Sequence, residues 1–418
     1  MKKIPLLLII SLAFPTTATA AEEASGPLTM ADCYRLALKQ SEQIAIRQEL
    51  IAEAEARFSR ALSGILPRAS FSSSDKRQDG SGESAFTLRH VPERKFLFSQ
   101  PLFGGFKEFS AMAATRAEGR QRILEKKRAE QLLLLDVADA FYLLLEQREK
   151  SDILKRTHST LQERIKDLQQ REQIGRSRRS EVVGAEAQMR RAEADLELAQ
   201  RDETVARQLL EFLTGLERIR DISDTGPATP EAEPEEAYLM KASSRYDVKA
   251  SEEAFVVSEK QVAVAKSGRL PTVGLDGNYY VERAGVSKQV DWDVALKVDV
   301  PIFSGGEISG EVKEAASKAA QAKLRMSEAG RKALREIREA YARFQAGISR
   351  MNTLAKLLEA SEESYSLQLE DYRRSLINNL DVLLSLEDLE NARRDFSEAK
   401  YDAKRLYWQL KVASGEIL

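Results

Sequence analysis

The amino-acid sequence predicts a mainly α-helical chain with a small β part, built by duplicating one helix–strand–strand–helix–helix unit. Three observations carry this. Breakers are few, with 11 prolines and 21 glycines in 418 residues, and the long stretches between them are rich in Ala, Glu, Leu, Arg and Lys, as long helices are. Short stretches near residues 70, 100, 275 and 295 alternate apolar and polar side chains, the period of a strand with one greasy face. Residues of the first half also recur at a nearly fixed offset in the second, which marks an internal repeat.

At the amino terminus, Met1-Lys2-Lys3, the apolar run Ile4–Phe14 and Ala18-Thr19-Ala20 give a charged start, a short apolar middle and a small-residue cleavage site. Residues 1–20 are therefore read as a secretory signal peptide. The run is too short to cross a bilayer, and no later stretch holds the ~20 apolar residues of a membrane helix. Any membrane insertion must use strands. Cys33 is the only cysteine, so no intrachain disulfide can form. Met30-Ala31-Asp32 before it does not resemble a lipid-attachment box, and Cys33 is read as a helix residue.

The repeat sets the rest. At an offset of 200, Pro101, Phe103 and Gly105 match Pro301, Phe303 and Gly305, and Glu181-Val182 matches Asp381-Val382. Leu210 and Gly215 likewise match Leu410 and Gly415. Upstream the offset is 204, pairing Ser63-Gly64-Ile65-Leu66-Pro67 with Ser267-Gly268-Arg269-Leu270-Pro271. Insertions are tolerated at loop tips, so the first copy should have the longer hairpin loop.

The first repeat spans 21–214, with a helix over Thr29–Gly64, strands over Ala69–Asp75 and Phe86–Leu102 (within about 67–103), and a helix over Phe106–Gln173. A tip turn at 174–180 and a helix over Glu181–Thr214 complete it. An acidic segment at 215–234, with Gly226, Pro227, Pro230 and Pro234, reads as an irregular linker. The second repeat spans 235–418: helix Glu235–Ser267, strands Thr272–Glu282 and Asp291–Ile302 (within 271–303), helix Glu307–Arg373, tip turn 374–380 and helix Asp381–Ser414.

A helix of nearly 70 residues reaches roughly 100 Å, and the two shorter helices laid end to end match it. Each chain thus supplies two long struts and two broken ones, with the strands at one end. Leu154, His158, Leu161, Ile165 and Leu168 on the first strut recur at spacings of three and four. So do Ala185, Met189, Ala192, Leu196 and Ala199 on the returning helix, and both read as coiled-coil seams.

On the last strand, Trp292, Val294, Leu296, Val298, Val300 and Ile302 share one parity, while Asp291, Asp293, Ala295, Lys297 and Asp299 share the other. Val273, Leu275, Tyr279 and Val281 oppose Asp276, Asn278 and Glu282. A wall between lipid and water has this pattern, with Asp276, Asp291, Asp293 and Asp299 facing the water-filled side. Four strands cannot close a membrane barrel, since the smallest need eight. Oligomerisation follows, and three chains would give twelve strands and twelve struts.

Composition excludes other classes. Lys and Arg (64) nearly balance Asp and Glu (66), which gives no net basic surface for nucleic acid. The two histidines, His90 and His158, lie in no metal-binding pattern, and no phosphate loop occurs. No catalytic constellation, cofactor or metal is expected. Two competing readings are a periplasmic coiled-coil adaptor and a scaffold protein without a channel. No lipoyl-type module interrupts the helices as an adaptor would require, and a soluble scaffold leaves the alternating strands unexplained.

Several residues in order carry a resemblance: the Leu-Pro entry to the first strand of each copy, and the Pro101-Leu102-Phe103-Gly104-Gly105 and Pro301-Ile302-Phe303-Ser304-Gly305-Gly306 exits. The Leu213-Thr214-Gly215 close and Tyr372, Ser375 and Asp381-Val382-Leu383 complete it. Over nearly the whole mature chain, this order resembles the TolC-like outer-membrane efflux proteins.

The resemblance implies a homotrimer with a twelve-stranded outer-membrane β-barrel continuous with a long periplasmic α-helical barrel. Its partners would be the lipid bilayer, a periplasmic adaptor and an inner-membrane pump of the RND, ABC or MFS type. It further implies a periplasmic gate at Tyr372, Asp381 and Leu384, where Leu384 stands in place of a second constricting Asp. Adaptor-docking tips fall at Gly175, Arg176, Ser177 and Ser180 in the first copy and Ser375, Leu376 and Asn378 in the second. The family's tip glycine is Gly175 in copy one and is replaced by Ser375 in copy two. Ile377 stands where a gate arginine is expected.

Overall fold

The computed structural model describes residues 26–417, so the signal-peptide reading lies outside the described residues. The elements run α1 (Met30–Gln40), α2 (Glu42–Leu62), β1 (Arg68–Arg77), β2 (His90–Phe103), α3 (Lys107–Gln173) and α4 (Arg179–Thr214). After the linker come α5 (Glu235–Met240), a 3-10 turn (Ala242–Ser244), α6 (Tyr246–Ser267), β3 (Thr272–Arg283), β4 (Trp292–Asp299), α7 (Glu307–Arg373) and α8 (Asn379–Ser414). The fold is mainly α with one small sheet. Helices α3 and α7 are each 67 residues, roughly 100 Å long. Among the described residues no helix is long and apolar enough to cross a membrane.

Both leading helices are broken where the sequence predicts one rod. Ser41 leaves the helical region (φ −66, ψ 112), and its hydroxyl accepts from the Ile44 amide, so it ends α1 and caps α2. In the second copy Arg245 is extended (φ −56, ψ 142) and starts α6. Cys33 is fully buried in α1 among Tyr34, Ala37 and Leu134, and burial pushes its thiol up to about 12. It is an inert core residue.

The strand bounds differ from expectation at two places. β2 begins at His90, not Phe86, and runs unbroken through His90–Arg94. β4 stops at Asp299, two residues before Pro301, which has no N–H to give a ladder; Val300–Ile302 and Asp291 lie outside it. The loop 78–89 is four residues longer than the loop 284–291, the difference expected from the shift in offset. The sheet is antiparallel in the order β1-β2-β3-β4, so β1 and β4 are its edges.

Buried positions follow the seams. On α4, Ala185, Ala192, Ala199 and Ala206 are buried at intervals of seven, and Leu154, Leu161 and Leu168 on α3 are buried at the same interval. Small residues facing large ones let the helices interlock closely. Nearer the sheet, helices α2, α3, α6 and α7 lie side by side; farther away, α4, α3, α8 and α7 do. The linker is not loose throughout: Ile219 and Ile222 are buried, and Ile222 pairs in parallel with Leu28.

Candidate functional site

Two regions can act, one at each end of the plank. In the sheet, register places side chains in rows. Phe71, Phe96, Tyr279 and Trp292 form one row across all four strands, followed by Ala69, Phe98, Gly277 and Val294. Leu275 with Leu296, and Val273 with Val298, continue the same face. These side chains stand in the open, Trp292 at 66% exposure and Leu296 at 64%. A contiguous apolar face of this extent marks an interaction surface.

The opposite face carries Arg68, Ser99, Asp276 and Ala295 in one row and Ser70, Leu97, Asn278 and Asp293 in the next. Asp276 accepts from Ser99 at 2.8 Å and pairs with Lys297 at 2.6 Å, while Asp293 accepts from Asn278 at 2.9 Å. Asp299 pairs with Thr272 on this face. Asp291 precedes β4, and its carbonyl accepts from the Tyr280 amide at 2.8 Å.

At the far end the two tips are built alike. The Arg176 amide donates to Arg171 O and Gly175 to Glu172 O; in the second copy Leu376 donates to Asp371 O and Ser375 to Tyr372 O. Each is a Schellman closure, which requires a left-handed residue: Gly175 at φ +72 and Ser375 at φ +62. A side chain there costs about 1 kcal/mol. Ser375→Gly should therefore stabilise the second tip by about that amount, seen as a higher melting temperature, whereas Gly175→Ala should lower it.

The helix starts differ. Asn378 caps α8, accepting from Leu380 N and Asp381 N, and Asp381 reaches back to the Asn378 amide at 3.3 Å, a complete capping box. Asp381 is thus held by its own turn. At the first tip Arg178 supplies no side-chain cap, and Ser177 instead donates to Glu181 at 2.6 Å. Arg176 and Ser180 are exposed at this tip, as are Leu376 and Leu384 at the second.

Tyr372 is buried, its ring between Arg164 (3.9 Å to the centroid) and Arg171 (4.8 Å). Guanidinium faces stack favourably on such a ring. Arg164 also donates to Asn379 Oδ1 at 2.9 Å, so α3, α7 and α8 are fastened at one point. Burial pulls the Arg164 guanidinium below its usual range. The sequence reading missed Arg164, Arg171 and Asn379. The available signal was two arginines seven residues apart on an otherwise apolar stripe.

Farther along, the seams diverge in character. The α7–α8 contact has an apolar centre, through Phe344, Met351, Ala399, Ala403 and Leu410, flanked by the Arg350–Glu398 and Arg393–Glu362 pairs. Between α3 and α8 the middle of the seam is polar: Thr157 donates to buried Glu390, Lys400 and Tyr401 both reach Glu149 at 2.7 Å, and Arg405 pairs with Glu146 at 3.0 Å. Burial, with Asp136 and Asp402 nearby, pushes the Asp139 carboxyl up to about 6 despite Arg405. Burial likewise raises Glu146.

Known proteins match this architecture. The chain is 24% identical to outer membrane protein TolC of Vibrio cholerae over 77% of this chain and 76% of that protein. It is 22% identical to the alkaline protease secretion protein AprF of Pseudomonas aeruginosa, over 94% and 85% of the two chains. Its fold is similar to the crystal structure of the outer membrane protein VceC of Vibrio cholerae, with a TM-score of 0.80 at 19% identity, covering 93% of this chain and 96% of that one. The model of the outer membrane efflux protein family matches residues 33–216 and 240–416, one match in each half. This chain is therefore a member of the outer membrane efflux protein family.

Proposed function

We propose that the chain is the outer-membrane channel of a tripartite efflux or type I secretion system, a passive exit duct opened by a periplasmic adaptor and energised by an inner-membrane pump. The observation that carries this reading is the sheet, apolar and exposed on one face, polar on the other, with both edges unpaired within the chain. In lipid each unpaired backbone group costs several kcal/mol, so β4 of one copy would pair with β1 of the next. Three copies would close a ring of twelve strands, with Asp276, Asp293 and Asp299 on its wall and Asp291 at its rim. The helical layer supports the same closure. Leu198, Val205 and Phe212 on α4 are exposed at intervals of seven, a seam open to another helix.

In this reading Tyr372, Asp381 and Leu384 form the periplasmic gate, and the tips around Gly175–Ser180 and Ser375–Asn378 receive the adaptor. The polar middle of the α3–α8 seam supports a gating motion there, because buried ions that separate into water regain their hydration, whereas parting the α7–α8 centre of Phe344, Met351 and Ala403 would expose hydrocarbon. The α7–α8 pair would then swing as a unit. No bond is made or broken, and cargo choice falls to the pump.

Membrane fractionation and planar-bilayer conductance test the reading. A trimer in the outer-membrane fraction with single-channel conductance is expected. Recovery as a soluble monomer without conductance would overturn it. Asp381→Ala should weaken cation block and raise closed-state conductance, and unchanged traces would remove that residue from the gate.

A further inference from the structure

We propose that Asp139, set against Glu146, Asp402 and Arg405, is a proton-operated hinge: with Asp139 protonated the α3–α8 seam stays shut, and with Asp139 ionised it parts and frees the α7–α8 pair to swing. The proposal rests on the swing in the channel reading above and adds to it the device that sets when the seam parts.

The seam has more carboxylates than cations to match them. Glu149 takes Lys400 and Tyr401, each at 2.7 Å, Asp224 takes Lys404, and Glu390 takes Thr157 and Arg393. The charged groups around Asp139 are Asp136 and Glu146 on α3, and Asp402, Glu398 and Arg405 on α8. The one guanidinium among them is already divided, lying 3.0 Å from Glu146 and 3.7 Å from Asp402. Nothing is left for Asp139: its Oδ1 oxygen is buried and makes no hydrogen bond among the described residues. An ionised oxygen buried without a donor is costly, and Asp402 adds like charge from across the seam. A proton removes both penalties, which is why the carboxyl is pushed up to about 6.

The place is that of a pivot. Toward the sheet, Arg128 holds the Val412 carbonyl and Gln131 that of Gly415, so the end of α8 is fastened to α3. Gln131 lies only about 12 Å along α3 from Asp139. Toward the tips follow the pairs of Glu146, Glu149 and Glu390, which can part into water. The linker crosses the same level, held by Arg148 to Asp221 at 2.8 Å and by Lys404 to Asp224. Asp139 lies about half a turn of helix from Arg148, and Asp402 about half a turn from Lys404, so the cluster is on the face away from the linker. Asp136 and Glu398 beside it are exposed, and water brings protons to it there.

The sign follows from the two states. In the shut seam Asp139 holds a proton below about 6; in the parted, hydrated seam it holds one only below about 3.9. Acid therefore favours the shut seam. The opening equilibrium climbs as pH rises between these two limits, by about tenfold per copy from pH 5 to pH 7.5.

The test uses the full-length protein in detergent with Cys33→Ala and Ser397→Cys. Ser397 is buried on α8, on the stripe that also holds Glu390 and Lys404, so a thiol there meets a water-soluble methanethiosulfonate only when the seam parts. Reaction rates are taken without and with Asp139→Asn at each pH, and their ratio cancels the ionisation of the thiol and of groups elsewhere. That ratio is expected to fall about tenfold from pH 7.5 to pH 5. A ratio that departs from one but does not move with pH would make Asp139 a packing residue and overturn the hinge, and so would a ratio of one throughout. Asp402→Asn is the second variant: losing a like charge should draw the midpoint to lower pH, and an unmoved midpoint would overturn the repulsion across the seam. Planar-bilayer conductance separates this hinge from the reading it rests on. A pH-dependent ratio in a protein that does not conduct would remove the channel and leave the hinge; conduction with a flat ratio would remove the hinge alone.

Discussion

Arg245→Ala is expected to cost about 3–5 kcal/mol of folding stability, the usual consequence of removing one partner from a buried ion pair. Arg245 is 1% exposed. Its guanidinium donates to Asp247 at 2.6 and 3.0 Å, to Glu336 at 2.7 Å and to the Ala413 carbonyl at 3.0 Å. Nearby, Arg128 donates to Val412 O at 3.0 Å and Gln131 to Gly415 O at 2.5 Å. The last carbonyls of α8, left without partners inside the helix, are thus capped by side chains from α3 and the α6 start. Burial works to raise the Asp247 carboxyl, but the hydrogen bonds and charge of Arg245, with the charge of Arg128, hold it below the usual carboxylate range. Truncation would leave Asp247 and Glu336 with only their longer pairs, to Arg128 at 4.0 Å and Lys332 at 3.7 Å, and would take the side-chain donor from the Ala413 carbonyl. Arg245→Lys should recover only part of the loss, since a compact ammonium lacks the planar fork that meets Asp247, Glu336 and the Ala413 carbonyl in three directions. Denaturant or thermal unfolding measures both, and a loss under about 1 kcal/mol for the alanine variant would contradict the clamp.

Leu296→Arg should have the larger effect on assembly. A basic side chain on the lipid face of an outer-membrane barrel costs about 2–4 kcal/mol near the midplane, and three copies would carry it in a closed ring. Trimer recovered from outer membranes should fall sharply. Ala295→Arg is the control: one residue away, it joins the row of Ser99 and Asp276 on the polar face, and the trimer yield should hold. Equal loss from both would show that the two faces are not in different solvents.

What the sequence disclosed follows from how local each signal is. The α7 bounds Glu307–Arg373 were legible, because Gly305-Gly306 and the Schellman turn at Ser375 punctuate them within a few residues. The two faces of β4 were legible because alternation is a property of one strand alone. The breaks at Ser41 and Arg245 were not. Neither residue is a helix breaker, and Arg245 leaves the helix beside partners 91 and 168 residues away. The tip shows the same limit. Tyr372 was singled out by its position, but Arg164, which stacks on its ring, and Asn379, which accepts from Arg164, lie on other helices and meet only after packing. The bulge between Pro101 and Phe103, which sets Phe103 opposite Val273 on the apolar face, was hidden too, since strict alternation assigns that ring to the polar side.

The pairing of Leu28 with Ile222 bears on the order of events after export. The Leu28 amide donates to Asp221 O, and the Ser223 amide to Leu28 O, so the segment just before α1 is stapled by residues synthesised nearly two hundred positions later. Closing so long a loop is entropically slow. During synthesis α1 can dock on α3 first, through Tyr34 and its bond to Glu130 O, and the Leu28–Ile222 bridge closes over it only once the linker has emerged.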